Sequence, residues 1–422
     1  MDFVARKNNR RDIRRSLGNL PRQLSDVYEA ALRRIANQNQ EDTDLAERLL
    51  SWIVCARRPL TRVEVQHALA VEQADKRLDE EGIPDDQILI AACAGLVTVD
   101  RESSIIRPVH YTAQKYFEAA FASRLPRFRV AIASACLTYL SFDDLGDACE
   151  LDSLLRRYAL LPYAAQYWGD HVRGEPEAAL REEVVAFCRD QPHITTWYRV
   201  LHRLRHGYEL DAASLARVTG LHAAALLGLP ETVASLLRFQ DVDINALDIQ
   251  GETPLHWAAA QGHEDVVGIL LGHATVDANR SSLYGRTPLS LAAEGGHAGV
   301  VSLLVARKDV DPDQNDPNLG ITPLWIAADR GHIDVVRLLL GHAGVDVNVK
   351  DKYFGETPLW RAANKGHEEV VREILKRRDV NVGVRDRHYG EQPLDRARAG
   401  GYKKIIEMLE THEGAAPDHY YT

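Results

Sequence analysis

The sequence is missing several features that would settle its class at once. No apolar run approaches the ~18 residues needed to cross a membrane as a helix. The first residues, Met-Asp-Phe-Val-Ala-Arg-Lys, lack the apolar core of a secretory signal. Cysteine is scarce: Cys55, Cys93, Cys136, Cys149 and Cys188 are odd in number, widely spaced and never form a Cys-x-x-Cys pair. They read as reduced, buried thiols of an intracellular protein, not as a disulfide framework or metal site. Gly-x-x-x-x-Gly-Lys-Ser/Thr is missing, and with it the phosphate cradle of a P-loop NTPase. Gly-x-Ser-x-Gly is missing too, which removes the nucleophile elbow of an esterase. A net charge of −10 argues against a general nucleic-acid binder. The remaining composition, 45% hydrophobic and 27% charged, is ordinary for a soluble globular chain of two or three domains.

What is present is a repeat. Gly251-Glu-Thr-Pro-Leu-His-Trp-Ala-Ala-Ala-Gln-Gly-His263 returns from Gly285, Gly320, Gly355 and, worn down, Gly390, at intervals of 34, 35, 35 and 35 residues. A fixed period of this size signals a solenoid. The residues explain themselves locally. Thr253 caps a helix and Pro254 fills its first turn, where no N–H is needed. Leu255, Ala258 and Ala259 face the neighbouring repeat, and Gly262 stops the helix. Val266, Val267, Ile269, Leu270 and Leu271 give a second helix its buried face, and Val276–Asn279 begins a hairpin. Thr-Pro-Leu-His followed by Ala-Ala and Gly-His resembles the ankyrin repeat. Thr219-Gly-Leu-His222 reads as a first, capping copy and Gln392-Pro-Leu-Asp395 as the last, which gives about six units over 213–411, with 412–422 a loose tail.

Upstream, 1–24 are basic. Apolar residues at helical spacing follow: Leu24 to Ile35, then Leu45 to Val54. Thr61 and Glu64 predict a capping box on a third helix, and Gln87–Cys93 a fourth. Leu96–Asp100 and Ile105–His110 predict a β-hairpin, with Thr112 capping the next helix. Helix, helix, helix, hairpin is winged-helix order. The helix in the recognition position, Asp85-Asp-Gln-Ile-Leu-Ile-Ala-Ala-Cys93, has no Lys or Arg to meet phosphates, so the domain reads as a packing module. Helical spacing in Arg127–Phe142, Leu154–Val172 and Glu177–Cys188 predicts a helical spacer, with Trp168 and Trp197 in its core.

Leu20-Pro-Arg-Gln-Leu-x-x-x-Tyr28, Arg58-Pro-Leu-Thr61, Cys93-Ala-Gly-Leu-Val97 and Val109-His-Tyr-Thr112 resemble the winged-helix segment of fungal NACHT–ankyrin proteins, NLR-like STAND proteins. Pro162-Tyr-Ala-Ala-x-x-Trp-Gly-x-His171 is similar to the helical stretch that follows it there. The likeness covers about 10–175 and implies a segment between an NTPase module and the repeats. It implies the C-terminal portion of such a protein, a shortened relative or a truncated gene. The expected organisation is mainly α: a helical connector over 1–41, a winged-helix-like domain over 42–122, a helical spacer over 123–210, then the ankyrin solenoid.

The recurrent histidines, His222 and His256, then His263, His297, His332 and His367, invite a metal reading. Successive members lie a whole repeat apart, about 10 Å along a helical stack, whereas zinc needs ligands about 2 Å from one ion. They are read as structural. No cofactor, metal, catalytic set or small-molecule substrate is expected. Function is placed instead in the positions that do not repeat. On the first helices these are Trp257, Leu291, Trp325, Ile326, Arg330, Trp360, Arg361 and Lys365. At the hairpin tips they are Tyr284, Tyr353, Phe354 and Tyr389. Trp, Tyr and Arg dominate protein-interface hot spots. The expectation is a cytoplasmic, non-enzymatic interaction scaffold in signal transduction, with the nucleus as a second location and no membrane contact. The alternative is a nucleic-acid-associated regulator using the basic N-terminus and winged helix. A second reading of Trp325 and Trp360 has them filling the space of the missing histidines.

Overall fold

The computed structural model describes residues 25–146 and 150–414. The basic stretch 1–24, Cys149 and the end of the tail lie outside the described residues. The chain divides into two compact units, Met1–Leu210 and Asp211–Thr422.

The first unit is helical around one small sheet. Residues 25–36, Gln40–Cys55, Arg62–Ala70 and Asp86–Ala92 are helices. Val97–Val99 then pairs antiparallel with Ile106–Pro108 in the register Thr98 to Arg107. Thr61 bridges Ile105, and Leu60 O accepts from Ile106 N at 3.0 Å, so the segment before the third helix adds a third edge to the wing. That piece is too short for an alternating pattern, so the sequence does not announce it. The capping box forms as expected: Thr61 Oγ1 accepts from Glu64 N and Thr61 N donates to Glu64 Oε2. Glu64 also receives both arms of Arg58 at 3.0 and 2.6 Å. Burial pushes its carboxyl up, but the Arg58 fork and the Thr61 amide outweigh this and hold it below the usual range. His110, not Thr112, caps the helix Tyr111–Ala120. Thr112 lies in its first turn and meets Tyr28 Oη at 2.8 Å.

The helices that follow are Leu125–Leu140, Leu151–Arg157, Leu161–Val172, Glu175–Ala179, Arg181–Arg189 and Gln191–His206. The expected single helix Leu154–Val172 is broken at Tyr158, because Pro162 fits the first turn of a new helix and not the interior of an old one. Arg57 N donates to Tyr163 Oη at 3.0 Å, and that hydroxyl meets His171 Nε2 at 2.7 Å. Trp168 and Trp197 pack edge to face in the core, 6.1 Å apart.

The second unit is the stack. After Ala212–Leu215, helix pairs begin at Gly220, Pro254, Pro288, Pro323, Pro358 and Pro393. Each first helix ends at a glycine with positive φ. At Gly366 (φ +77°) a β-carbon would also sit 2.6 Å from the Tyr402 ring, so backbone shape and close packing both require glycine. The connecting hairpins are successive turns, with no strand ladder among the described residues of this unit. The last helix, Lys403–Gly414, carries through His412, so the tail begins later than the sequence suggests.

Candidate functional site

Every repeat projects the same columns of side chains, and the first column is structural. Three past the cap, which is Thr in five repeats and Gln392 in the last, stand His222, His256, Ser290, Trp325, Trp360 and Asp395. His222 Nε2 reaches Glu252 O at 3.1 Å and His256 Nε2 reaches Arg286 O at 3.1 Å, while each Nδ1 faces its cap amide. Burial holds both imidazoles neutral, with pKa values pushed down to about 4. Trp325 Nε1 donates to Glu356 O and Trp360 Nε1 to Glu391 O, both at 3.1 Å. The indole N–H therefore replaces the imidazole N–H at the same carbonyl. A second histidine column ties repeats together: His263, His297, His332 and His367 each place Nε2 within 3.1 Å of a carbonyl near the end of the preceding first helix.

The non-repeating residues sort into two groups. One is internal. Trp257, Ile326 and Trp360 are buried. Trp257 donates to Asp248 Oδ2 at 3.0 Å and lies edge-on to His222. Arg361 lies over the half-buried Trp325 ring at 4.9 Å and bonds Asp329 and Glu356. Arg396 repeats this over Trp360 at 5.4 Å, bonding Asn364 and Glu391. Each arginine thus grips the tryptophan one repeat back. Both pairs are 36 residues apart, a signal the sequence carried that position-by-position reading missed. Buried at 7%, 5% and 4% exposure, Trp257, Ile326 and Trp360 offer a partner little side-chain surface. Leu291 is half-buried.

The other group faces solvent. Arg330 and Lys365 are exposed, Arg330 bonding Glu294 at 2.7 Å. Tyr284 is 63% exposed, Tyr353 64%, Phe354 52% and Tyr389 72%. The reason is local. A buried neck carboxylate folds inward: Asp351 Oδ1 accepts from Tyr353 N at 2.9 Å and Phe354 N at 2.7 Å, and Asp386 does the same for His388 and Tyr389. With the amides turned in, the tip side chains point out. Single backbone bonds join successive tips, Lys352 N to Leu319 O at 2.8 Å and Arg387 N to Phe354 O at 2.6 Å. Leu283 and Leu319 extend the same apolar edge and were not foreseen. The signal for Leu319 was also present, because the residue just before the last four repeat glycines is Tyr284, Leu319, Phe354 or Tyr389.

Among the described residues no group of three or more His, Cys, Asp or Glu side chains is placed to hold a metal ion. Burial pushes the Cys93 and Cys188 thiols up to about 12, which keeps them protonated. In the recognition position of the first unit, Asp86 pairs with Arg62, and the side chains turned to solvent include Ile88 and Ile90. No helix among the described residues is long and apolar enough to cross a membrane.

A family model described as ankyrin repeats matches three overlapping stretches, 197–282, 274–351 and 324–420. A second, described as the GPI inositol-deacylase winged helix domain, matches 34–123. A curated relative from Monascus ruber, "Azaphilone pigments biosynthesis cluster protein L", is 28% identical over 272 residues, which is 58% of this chain and 56% of that protein. This chain therefore spans about half the length of the curated relative it matches. A solved structure of the ankyrin repeat protein EF0377 aligns with 48% of this chain and 98% of its own, at 22% identity and a TM-score of 0.42.

Proposed function

Because the chain belongs to the ankyrin-repeat family, matched from 197 to 420, we propose that it is a non-enzymatic scaffold that recognises a protein partner along the hairpin tips and the adjoining first-helix face. The observation that carries this is the row of exposed aromatic tips: Tyr353, Phe354 and Tyr389 held outward by buried neck carboxylates, and Tyr284 by the buried Ser282 hydroxyl. Exposed apolar edges of this kind mark interaction sites, and aromatic residues concentrate binding energy. The first-helix side of this face takes in the exposed Arg330 and Lys365 and the half-buried Leu291, Trp325 and Arg361. Trp257, Ile326 and Trp360 set its shape from below. The working division is 42–122 as a winged-helix module, 123–210 as a spacer and 213–411 as the recognition array, in a cytoplasmic protein.

Capture of interacting proteins from native extract, by wild type and by Tyr284→Ala/Tyr353→Ala/Tyr389→Ala, tests the reading. A folded triple variant should lose most of the partner recovered by wild type. Recovery equal to wild type removes this face from the function. A finer reading makes the chain the partner-recognition end of an NLR-like signalling protein. It is supported by the order of winged helix and ankyrin array and by the resemblance to fungal NACHT–ankyrin proteins. Deleting 213–411 in the organism that carries the gene should then reproduce loss of the whole gene. Unchanged signalling in the deletion strain argues for a different role.

A further inference from the structure

The tips of the last two hairpins share a charge asymmetry that neither composition nor family explains. Their carboxylates are turned inward: Asp351, Glu356 and Asp386 are buried, and the half-buried Glu391 is held by Arg396 at 2.7 Å. Their cations are turned outward: Lys350, Lys352, Arg385 and Arg387 are all exposed. Lys352 Nζ, Arg385 and Arg387 bond backbone carbonyls of the hairpins, and no carboxylate forms an ion pair with any of the four among the described residues. Tyr353, Phe354 and Tyr389 are exposed in the same two tips. On a chain of net charge −10, these tips carry unpaired positive charge beside exposed aromatic rings.

We propose that the hairpin edge around Lys352–Phe354 and Arg387–Tyr389 docks an acidic polypeptide segment with apolar side chains between its carboxylates. The proposal rests on the protein-interaction reading above and adds the partner's chemistry. Carboxylates would meet the four cations, which need give up no existing ion pair to receive them. Apolar residues would cover the rings and the neighbouring Leu319.

The test uses the full chain. Displayed random peptides of about 12 residues, long enough to follow an extended edge, are selected on wild type. The winners, fluorescein-labelled, are titrated against wild type, Lys352→Glu/Arg387→Glu and Tyr389→Ala, each checked for fold by circular dichroism. Selected peptides should be rich in Asp and Glu with interspersed apolar residues. Their affinity should fall at least about tenfold on charge reversal, and fall again between about 50 and 300 mM NaCl. Neutral or basic winners overturn the proposal. Winners indifferent to charge reversal but weakened by Tyr389→Ala overturn the acidic partner and leave the protein-interaction reading standing. If no winner depends on the tips, both fail. Labelled oligo(dT) or oligo(U) that binds wild type, is released by charge reversal and is not displaced by acidic peptides would assign the edge to nucleic acid instead.

Discussion

Asp313 occupies a place where three of its counterparts along the stack are asparagines and the last is Gly383. Asn245, Asn279 and Asn348 each accept from an amide of the next hairpin and donate Nδ2 to a carbonyl two residues before it: Thr275 O, Asp309 O and Asp379 O. Asp313 Oδ2 keeps the first bond, from Asp346 N at 2.6 Å, but a carboxylate has no proton for the second, and Oδ1 is buried without a partner. Burial raises its pKa. Asp313→Asn should therefore stabilise the array by about 1 kcal/mol at neutral pH, read as a higher melting temperature. A folded pKa above the unfolded one contributes stability that is present at low pH and lost as pH rises through the folded value. The advantage of Asn over Asp should accordingly shrink on acidification, and a constant or growing advantage would contradict this account. Trp168 gives a matched contrast: its buried indole N–H has no partner, whereas Trp197 donates to Ala165 O at 2.9 Å. Trp197→Phe should cost about 1 kcal/mol more than Trp168→Phe in denaturant titrations. The ladder position of residue 313 was visible in the sequence. The orphan oxygen was not, because only packing decides which atom water cannot reach.

At the scale of single elements, a first helix is held in two chemically distinct ways. The first two repeats use neutral histidines, and the fourth and fifth use indoles with a stacked arginine. His222 and His256 have folded pKa values near 4, below the ordinary value, so their contribution is full above about pH 6.5 and is lost as pH falls toward 4. Each accounts for on the order of 3 kcal/mol across that window. Tryptophan does not titrate there. Acid should thus loosen the first repeats before the fourth and fifth, seen as amide exchange at pH 5 rising above its intrinsic rate in 219–271 and not in 322–374. Uniform exposure along the array would refute the difference. The Arg361–Trp325 contact should show a coupling of about 1 kcal/mol in a double-mutant cycle, and Arg361→Lys should lose most of it because an ammonium cannot stack flat on the indole while bonding Asp329 and Glu356.

At the scale of the whole chain, stability in the second unit is a sum over neighbours. Truncation after Val384 removes the last helix pair, with its buried Leu394, Ile405 and Leu409, and uncovers the face of Val370 and Ile374. The shortened array should remain helical but melt lower by several °C in circular dichroism, and an unchanged melt would mean the last repeat does not stack. The period, the repeat and Thr61 caps, the turn glycines and the winged-helix order were legible in the sequence, because each follows from local rules: hydrophobic spacing, capping chemistry and the backbone freedom of glycine; the His110 cap was not. Spacing alone argues against a shared ion for the recurrent histidines, while the carbonyls they meet across the stack became visible only in the fold. The exposed tip aromatics were legible too, since residues beside a tight turn have no core to enter. What the sequence could not decide was the fate of the unusual helix residues. Trp257, Trp325, Trp360 and Arg361 have the composition of a binding surface, yet they bond carbonyls, carboxylates and each other within the stack. Nor could it decide the charge of the tips, where Lys350, Asp351, Lys352 and Glu356 cancel in sequence. The fold separates them. Each neck aspartate turns inward because the tip amides need an acceptor, and the lysines turn outward because nothing inside can solvate them. Local rules fixed where the turns fall, and only the stacked hairpins determined which charges meet the solvent.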